Sequence, residues 1–137
     1  MDTKELYRQI LNEHNINPNH KKELENSTIS LQGINPSCGD NITLNLKVQD
    51  GKIIDGSFTG SGCAVSQASV DMMLDLIIGK DITEAFSLSE NFMNMIQGTA
   101  TDEQIESLDE AASLQDISKM PARVKCALLA WHTIEDI

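Results

Sequence analysis

The residue types best suited to chemistry fall in two short glycine-containing segments. Asn35-Pro36-Ser37-Cys38-Gly39-Asp40 places a thiol and a carboxylate two residues apart in a turn, from which both could face one ion. Gly60-Ser61-Gly62-Cys63 supplies a second thiol. Its backbone is flexible enough for close approach, and it stands at the entrance of a helix, where the dipole favours a thiolate. Zinc takes thiolate and carboxylate ligands tetrahedrally, so one more thiolate would complete a shell, and Cys126 is the one cysteine left to offer it. Taken alone, Cys126 lies on an apolar helical face and reads as core filler, because free cysteine commonly packs as a small hydrophobe. Cys38 sits between Ser37 and Gly39, where burial is not the obvious motive. Asp40 on its own is an ordinary turn or capping residue.

Arg123 adds a hint. A cation in the first turn of a helix opposes the macrodipole by about 0.3 to 1 kcal/mol. Three residues before Cys126, it shares that side of the helix and could stabilise a thiolate or sulfur anion. A solvated arginine near Asp116 or Glu110 is the competing reading. His14, His20 and His132 lack ligand-like spacing to a cysteine and read as surface or helix-packing residues.

The elements that must position these groups follow from hydrophobic period and turn residues. Asp2 or Thr3 can cap a first helix with a narrow stripe of Tyr7, Ile10 and Leu11, weakly anchored and stopped at Asn17-Pro18. Thr28 to Gly33 is a short strand ended by Asn35-Pro36. Ile42, Leu44, Leu46 and Val48 alternate with polar residues, the pattern of a strand with one buried face. Asp50-Gly51 then turns the chain into a strand over Lys52 to Thr59, with Ile54, Gly56 and Phe58 on one face. A two-residue loop would set Leu46 against Asp55 and mix the faces, so the expected register is a three-residue loop with a bulge at Gly51. That register pairs Leu46 with Ile54 and Ile42 with Phe58. It sets Cys38 opposite Gly62, which makes Cys63 a neighbour of Cys38, since opposed Cβ atoms lie about 4.5 to 5.5 Å apart.

From Ala64 the spacing becomes helical and runs to Gly79. Asp81 to Gln97 reads as one or two helices with Phe86, Leu88, Phe92, Met93 and Ile96 inward. Gly98 to Ser113 is polar and acidic, a solvated helix or loop. Pro121 suits the first turn of a final helix that carries Cys126 and Trp131.

Composition narrows the classes. The 137 residues fit one domain spanning 1–137. With 10 Lys and Arg against 21 Asp and Glu, the net charge of −11 argues against a sequence-independent nucleic-acid surface and favours a basic partner. No apolar run approaches the roughly 18 residues of a membrane span, and the charged start at Asp2 to Arg8 lacks the apolar stretch of a signal peptide. The expectation is a soluble cytoplasmic protein. Three distant cysteines make a poor disulfide framework and leave metal binding, thiol chemistry or simple burial.

Three motifs together resemble the SufU branch of the U-type (IscU/NifU-like) iron–sulfur cluster assembly family over nearly the whole chain. They are Asn-Pro-Ser-Cys-Gly-Asp at 35–40, Gly-Ser-Gly-Cys-Ala-Val-Ser-Gln-Ala-Ser at 60–69 and Pro-Ala-Arg-Val-Lys-Cys-Ala-Leu-Leu-Ala-Trp at 121–131. The resemblance implies an α+β fold, a three-stranded antiparallel sheet covered on one face by helices. It implies zinc ligation by Cys38, Asp40, Cys63 and Cys126. It also implies persulfide transfer from a SufS-type cysteine desulfurase to Cys38, on behalf of downstream iron–sulfur assembly proteins. In the family a desulfurase histidine takes over one zinc position, and Arg123 matches the residue proposed to assist that exchange.

Scaffold members of the family, which build a transient iron–sulfur cluster on the same cysteines, are the alternative. They carry a histidine immediately before the third cysteine, where this chain has Lys125, and a shorter path between the second and third cysteines, where this chain has 62 residues. Zinc that only holds the fold together is a third reading. The chain departs from the family pattern at 14–20 and at 109–116.

Overall fold

The computed structural model describes residues 3–137. The elements run α1 (Thr3–Ile16), β1 (Ile29–Asn35), β2 (Asp40–Gln49), β3 (Lys52–Ser61), α2 (Ala64–Ile77), α3 (Ile82–Gln97), α4 (Asp102–Glu106), a 3-10 helix (Asp109–Lys119), α5 (Pro121–Thr133) and a last 3-10 turn (Ile134–Asp136). The three strands form one antiparallel sheet in the order β1-β2-β3, with the helices on one face, the expected α+β architecture. No described helix is long and apolar enough to cross a membrane.

The sheet buries the face that alternation assigns to the core. Ile42, Leu44 and Leu46 of β2 are at most 3% exposed, while the residues between them are exposed or half-buried. α2 and α5 lie on this face, and Phe92 of α3 stacks on Trp131 of α5 with ring centroids 4.2 Å apart. Trp131 also satisfies its one polar atom: Nε1–H donates to Ser69 Oγ at 2.9 Å, and Ser69 donates to the Ala127 carbonyl at 2.6 Å. This ties α2 to α5 at the core, so the sulfurs each helix brings are held in fixed relation.

Two expectations are corrected here. The β2–β3 turn is the two-residue Asp50-Gly51 loop, with φ of +54° and +77° at its central residues, the backbone of a type I′ turn. The mixing of faces that argued against it is avoided by a bulge: Val48 pairs with Ile53, but Lys47 pairs with Asp55, so Ile54 is the extra residue. Ile53 is fully buried, Ile54 is exposed, and Leu46 comes opposite Gly56 and Leu44 opposite Phe58.

The acidic segment after Gly98 is also not simply solvated. Leu108, Ala111, Leu114 and Ile117 are buried in the core, at the three-residue spacing that a 3-10 helix places on one side.

α1 carries the expected stripe, with Tyr7, Ile10 and Leu11 packed against the core. Its expected cap at Asp2 lies outside the described residues. The helix is anchored more firmly than its stripe suggests. His14 is buried and bonds through Nδ1 to Asp71 of α2 at 2.5 Å and through Nε2 to Glu110 of the 3-10 helix. Asp71, fully buried, also accepts the backbone N–H groups of Asn19 and His20. The bond to Asp71 is the chief cause that raises His14 to about 9, burial opposing it and Glu110 adding. Burial by itself would raise the Asp71 carboxyl, but the His14 bond and the two backbone donors overcome it and hold the group below its usual range.

Candidate metal centre

β1 ends at Asn35 and β2 begins at Asp40, and the four-residue turn between them carries Cys38. Pro36, Ser37 and Gly39 are exposed and Cys38 is half-buried, so its sulfur sits at the rim of the molecule. Asp40 is the first inward-facing residue of β2 and is 1% exposed. Such a carboxylate needs donors. Oδ1 accepts the Cys63 N–H at 2.8 Å and the Ser66 hydroxyl at 3.0 Å, and Oδ2 accepts Asn35 Nδ2 at 3.3 Å.

Cys63 follows β3 and is the N-cap of α2, its Sγ accepting the Ser66 N–H at 3.4 Å. Gly62 is required by proximity. A Cβ there would stand 2.4 Å from Ser66 Oγ and 2.7 Å from Asp40 Oδ1, so any side chain would push Cys63 away from Asp40. Cys126, one turn into α5, is fully buried, and its thiol donates to Cys38 Sγ at 2.8 Å. Asn35 Nδ2 reaches Cys126 Sγ at 3.7 Å.

The ligand-capable atoms of Cys38, Asp40 and Cys126 all lie within 4.8 Å of one another. Cys63 stands at the edge of this group. It is not within that mutual distance, yet its sulfur is close enough to raise the Cys126 thiol, which burial first and then Cys38 and Cys63 push well above the ordinary range. At the open end of the hairpin Cys63 is bonded to Asp40 through its backbone N–H, and Cys38 meets Cys126.

Arg123, exposed on the first turn of α5, stays with the sulfurs. Charge interaction with Cys63, then a bond to Cys126, raises its guanidinium above its usual range, with Cys38 contributing less. Tyr7 of α1 is near enough to feel both Arg123 and Cys63. Burial is the first cause that raises its phenol, Arg123 opposing and Cys63 adding.

Two sulfurs and a carboxylate that converge, with a third sulfur and a guanidinium beside them, can bind a soft or borderline divalent cation or carry thiol chemistry. The donor set fits zinc, which takes Cys and Asp ligands in one shell. Sequence reasoning had missed Asn35 and Ser66, which orient Asp40. Asn35 reads in sequence as a strand terminator before proline, and Ser66 as one of several small residues in a helix, so neither signals a partner 5 or 26 residues away.

Residues 6–127 match the family described as NifU-like N terminal domain. The chain is 44% identical over 130 residues to the zinc-dependent sulfurtransferase SufU of Bacillus subtilis, covering 95% of this chain and 87% of that protein. It is 41% identical over 133 residues to the iron–sulfur cluster assembly scaffold protein IscU of Thermotoga maritima, covering 97% and 92%. Its fold superposes with a TM-score of 0.89 on a crystal structure from Fervidobacterium islandicum described as a putative iron–sulfur cluster assembly scaffold protein for the SUF system. That structure is 36% identical, and 98% of each chain is covered.

Proposed function

We propose, from the premise that the chain belongs to the family of NifU-like N-terminal domains, that it is a zinc-dependent sulfur acceptor for iron–sulfur cluster assembly. Its sulfur comes from a SufS-type cysteine desulfurase, and it acts in the cytoplasm, where thiols stay reduced. The observation that carries the reading is the convergence of Cys38, Asp40 and Cys126 beside Cys63, with only Cys38 on an exposed turn. Cys38, Asp40, Cys63 and Cys126 would hold zinc, which when bound keeps the thiols deprotonated and shielded until a ligand position is given up.

The remaining chemistry belongs to the chain. The Cys38 sulfur attacks the outer sulfur of the donor persulfide, forming a new S–S bond at Cys38. The donor's S–S bond breaks, and its cysteine leaves with the electron pair as a thiolate. The exchange is redox-neutral and leaves a persulfide anion on Cys38. Arg123 is placed to offset that charge, its guanidinium being associated with all three cysteines. Cys126 and Asp40, fixed in the core, have no freedom to follow the attacking sulfur outward. Cys63 is tied to α2 as its N-cap, so the thiol on the exposed turn, Cys38, is the one assigned to move.

The test is direct. Zinc per chain is measured, a desulfurase and cysteine are added, and the acquired sulfur is located by peptide mass. One zinc and sulfur on Cys38 are expected, with transfer lost in Cys38→Ala. Sulfur on another residue overturns the assignment. A second reading, assembly of a transient iron–sulfur cluster on the same cysteines, is favoured by the likeness to the Thermotoga scaffold protein. Anaerobic reconstitution followed by visible absorption separates the two, because a transferable cluster that displaces zinc supports the scaffold.

A further inference from the structure

Beside the cysteine cluster, α1 and the end of the 3-10 helix enclose a cleft of about 470 Å³ lined by Lys4, Tyr7, Arg8, Asp116, Lys119 and Met120. Its base is apolar. Tyr7 is half-buried and Met120 is 39% exposed, one of the few large apolar side chains left open to solvent. Its rim is cationic. Lys4, Arg8 and Lys119 surround it against a single carboxylate, Asp116, which is already paired with Lys119 at 3.5 Å. Arg123, the neighbour of Tyr7 and the sulfurs, extends the positive surface to the site. On a chain of formal charge −11, this is a local reversal of sign at the entrance to the cysteines.

We propose that this cleft docks an acidic segment of the sulfur-donating partner, with one aliphatic or aromatic side chain of that segment seated between Tyr7 and Met120. The inference rests on the sulfur-acceptor reading and names the chemistry of the partner surface. Whole-molecule charge favours a basic partner, but docking is governed by the charge at the contact. The positive rim attracts a local acidic segment while the negative surface around it repels one, which fixes orientation as well as attraction. Tyr and Met suit the anchor pocket, the one rigid and amphipathic, the other adaptable in shape. Tyr7 links the cleft to the chemistry, since an occupant resting on it lies next to Arg123 and Cys63.

The experiment measures sulfur transfer from a purified cysteine desulfurase as its concentration is varied, using the full chain with zinc bound. Arg8→Glu and Lys119→Glu are each expected to raise the half-saturating desulfurase concentration about 5- to 10-fold, with the rate at saturation unchanged. Raising salt should weaken the original chain more than a chain carrying both Arg8→Glu and Lys119→Glu. Lys52→Glu, at the hairpin tip and the far end of β3 from Cys63, should stay within about twofold. Should a reversal fail to fold, Arg8→Gln with Lys119→Gln supplies the same reading at smaller amplitude. Half-saturation unmoved by reversal while the original chain still accepts sulfur overturns the docking inference alone. No sulfur acceptance by the original chain overturns the function it rests on. Self-association of the chain that Arg8→Glu abolishes would assign the cleft to a second copy and overturn the inference as well.

Discussion

Among the described residues, groups capable of holding a metal gather in two places, and both touch α2. At its N-cap stand Cys38, Asp40 and Cys126 with Cys63, and about 12 Å further along the helix axis stand His14, Asp71 and Asp75. Each cluster contains a buried aspartate, Asp40 or Asp71. They differ in how charge is met. In the second, every anion has a partner from the protein: Asp71 has His14 and two backbone donors, Asp75 has His20 at 2.7 Å, and Glu110 has the other face of His14. His14 has both ring nitrogens engaged, Nδ1 by Asp71 and Nε2 by Glu110, which leaves neither turned to a metal. In the first, Asp40 is met by neutral donors, and the guanidinium of Arg123 faces several sulfurs from an exposed position. Counting ligands would rank the clusters alike. Counting unmet charge separates a structural clip from a metal centre.

The strongest way to break this comparison is to exchange the roles of the two aspartates. Asp71→Asn removes one member of a buried charge pair and should cost about 3 kcal/mol in urea unfolding, while zinc stays near one per chain. A fall in zinc with Asp71→Asn, or two zinc ions on the original chain, would make the His14 cluster a second metal site. The reciprocal variant, Asp40→Asn, should weaken zinc by about 100-fold or more, since losing a ligand costs at least as much as losing a group that only supports one. It should reduce the stability of the zinc-free chain by only about 1 kcal/mol, because the amide can keep part of the hydrogen bonding. Competition with a chelator reads the first quantity and denaturant titration the second.

Proton linkage sharpens the same contrast. His14 has a folded value raised above its unfolded one, so its contribution is fully present below about 6.5 and is lost as the pH rises through about 9. Asp71 is lowered, so its share is present above its unfolded value and is lost as the solution becomes acidic. Unfolding free energy should fall on the order of 2 kcal/mol between pH 7 and pH 10, and most of that slope should vanish in His14→Gln. An undiminished slope in the variant would place the titrating group elsewhere.

Much of this arrangement was legible in sequence, and the failures have physical causes. The period-two run of β2 and the glycine-flanked cysteines announce their conformations locally, so the hairpin and the site segments were readable. The register was not. With Ile53 and Ile54 adjacent, either can face inward, and the bulge that selects Ile53 is settled by packing under α2 and by the Asp50-Gly51 turn. The segment from Leu108 to Ile117 escaped because its apolar residues recur every three positions, the period of a 3-10 helix, against an acidic background that reads as solvated. His14 packs between helices, one of the two places its sequence allows, but its partners escaped for another reason: they lie 57 and 96 residues away, and no local pattern marks them. Cys126 reads equally as core and as ligand, and in the structure it is both buried and in contact with Cys38.

The finest test concerns Asn35, which has no counterpart in the His14 cluster. It is 6% exposed and directs its amide between Asp40 Oδ2 and Cys126 Sγ, joining the carboxylate end of the site to its buried sulfur. Asn35→Ala removes a neutral donor and leaves every proposed ligand in place. If Asn35 orients the ligands, zinc affinity should fall about tenfold and stability by about 1 kcal/mol, the scale of a group that supports a metal without touching it. Asn35→Asp keeps the volume but adds a negative charge beside Asp40, so it should raise the pH needed for tight zinc binding relative to Asn35→Ala. If stability falls and zinc affinity does not, Asn35 is a strand terminator that happens to lie near the cysteines, and the orientation of Asp40 rests on Ser66 and the Cys63 backbone alone.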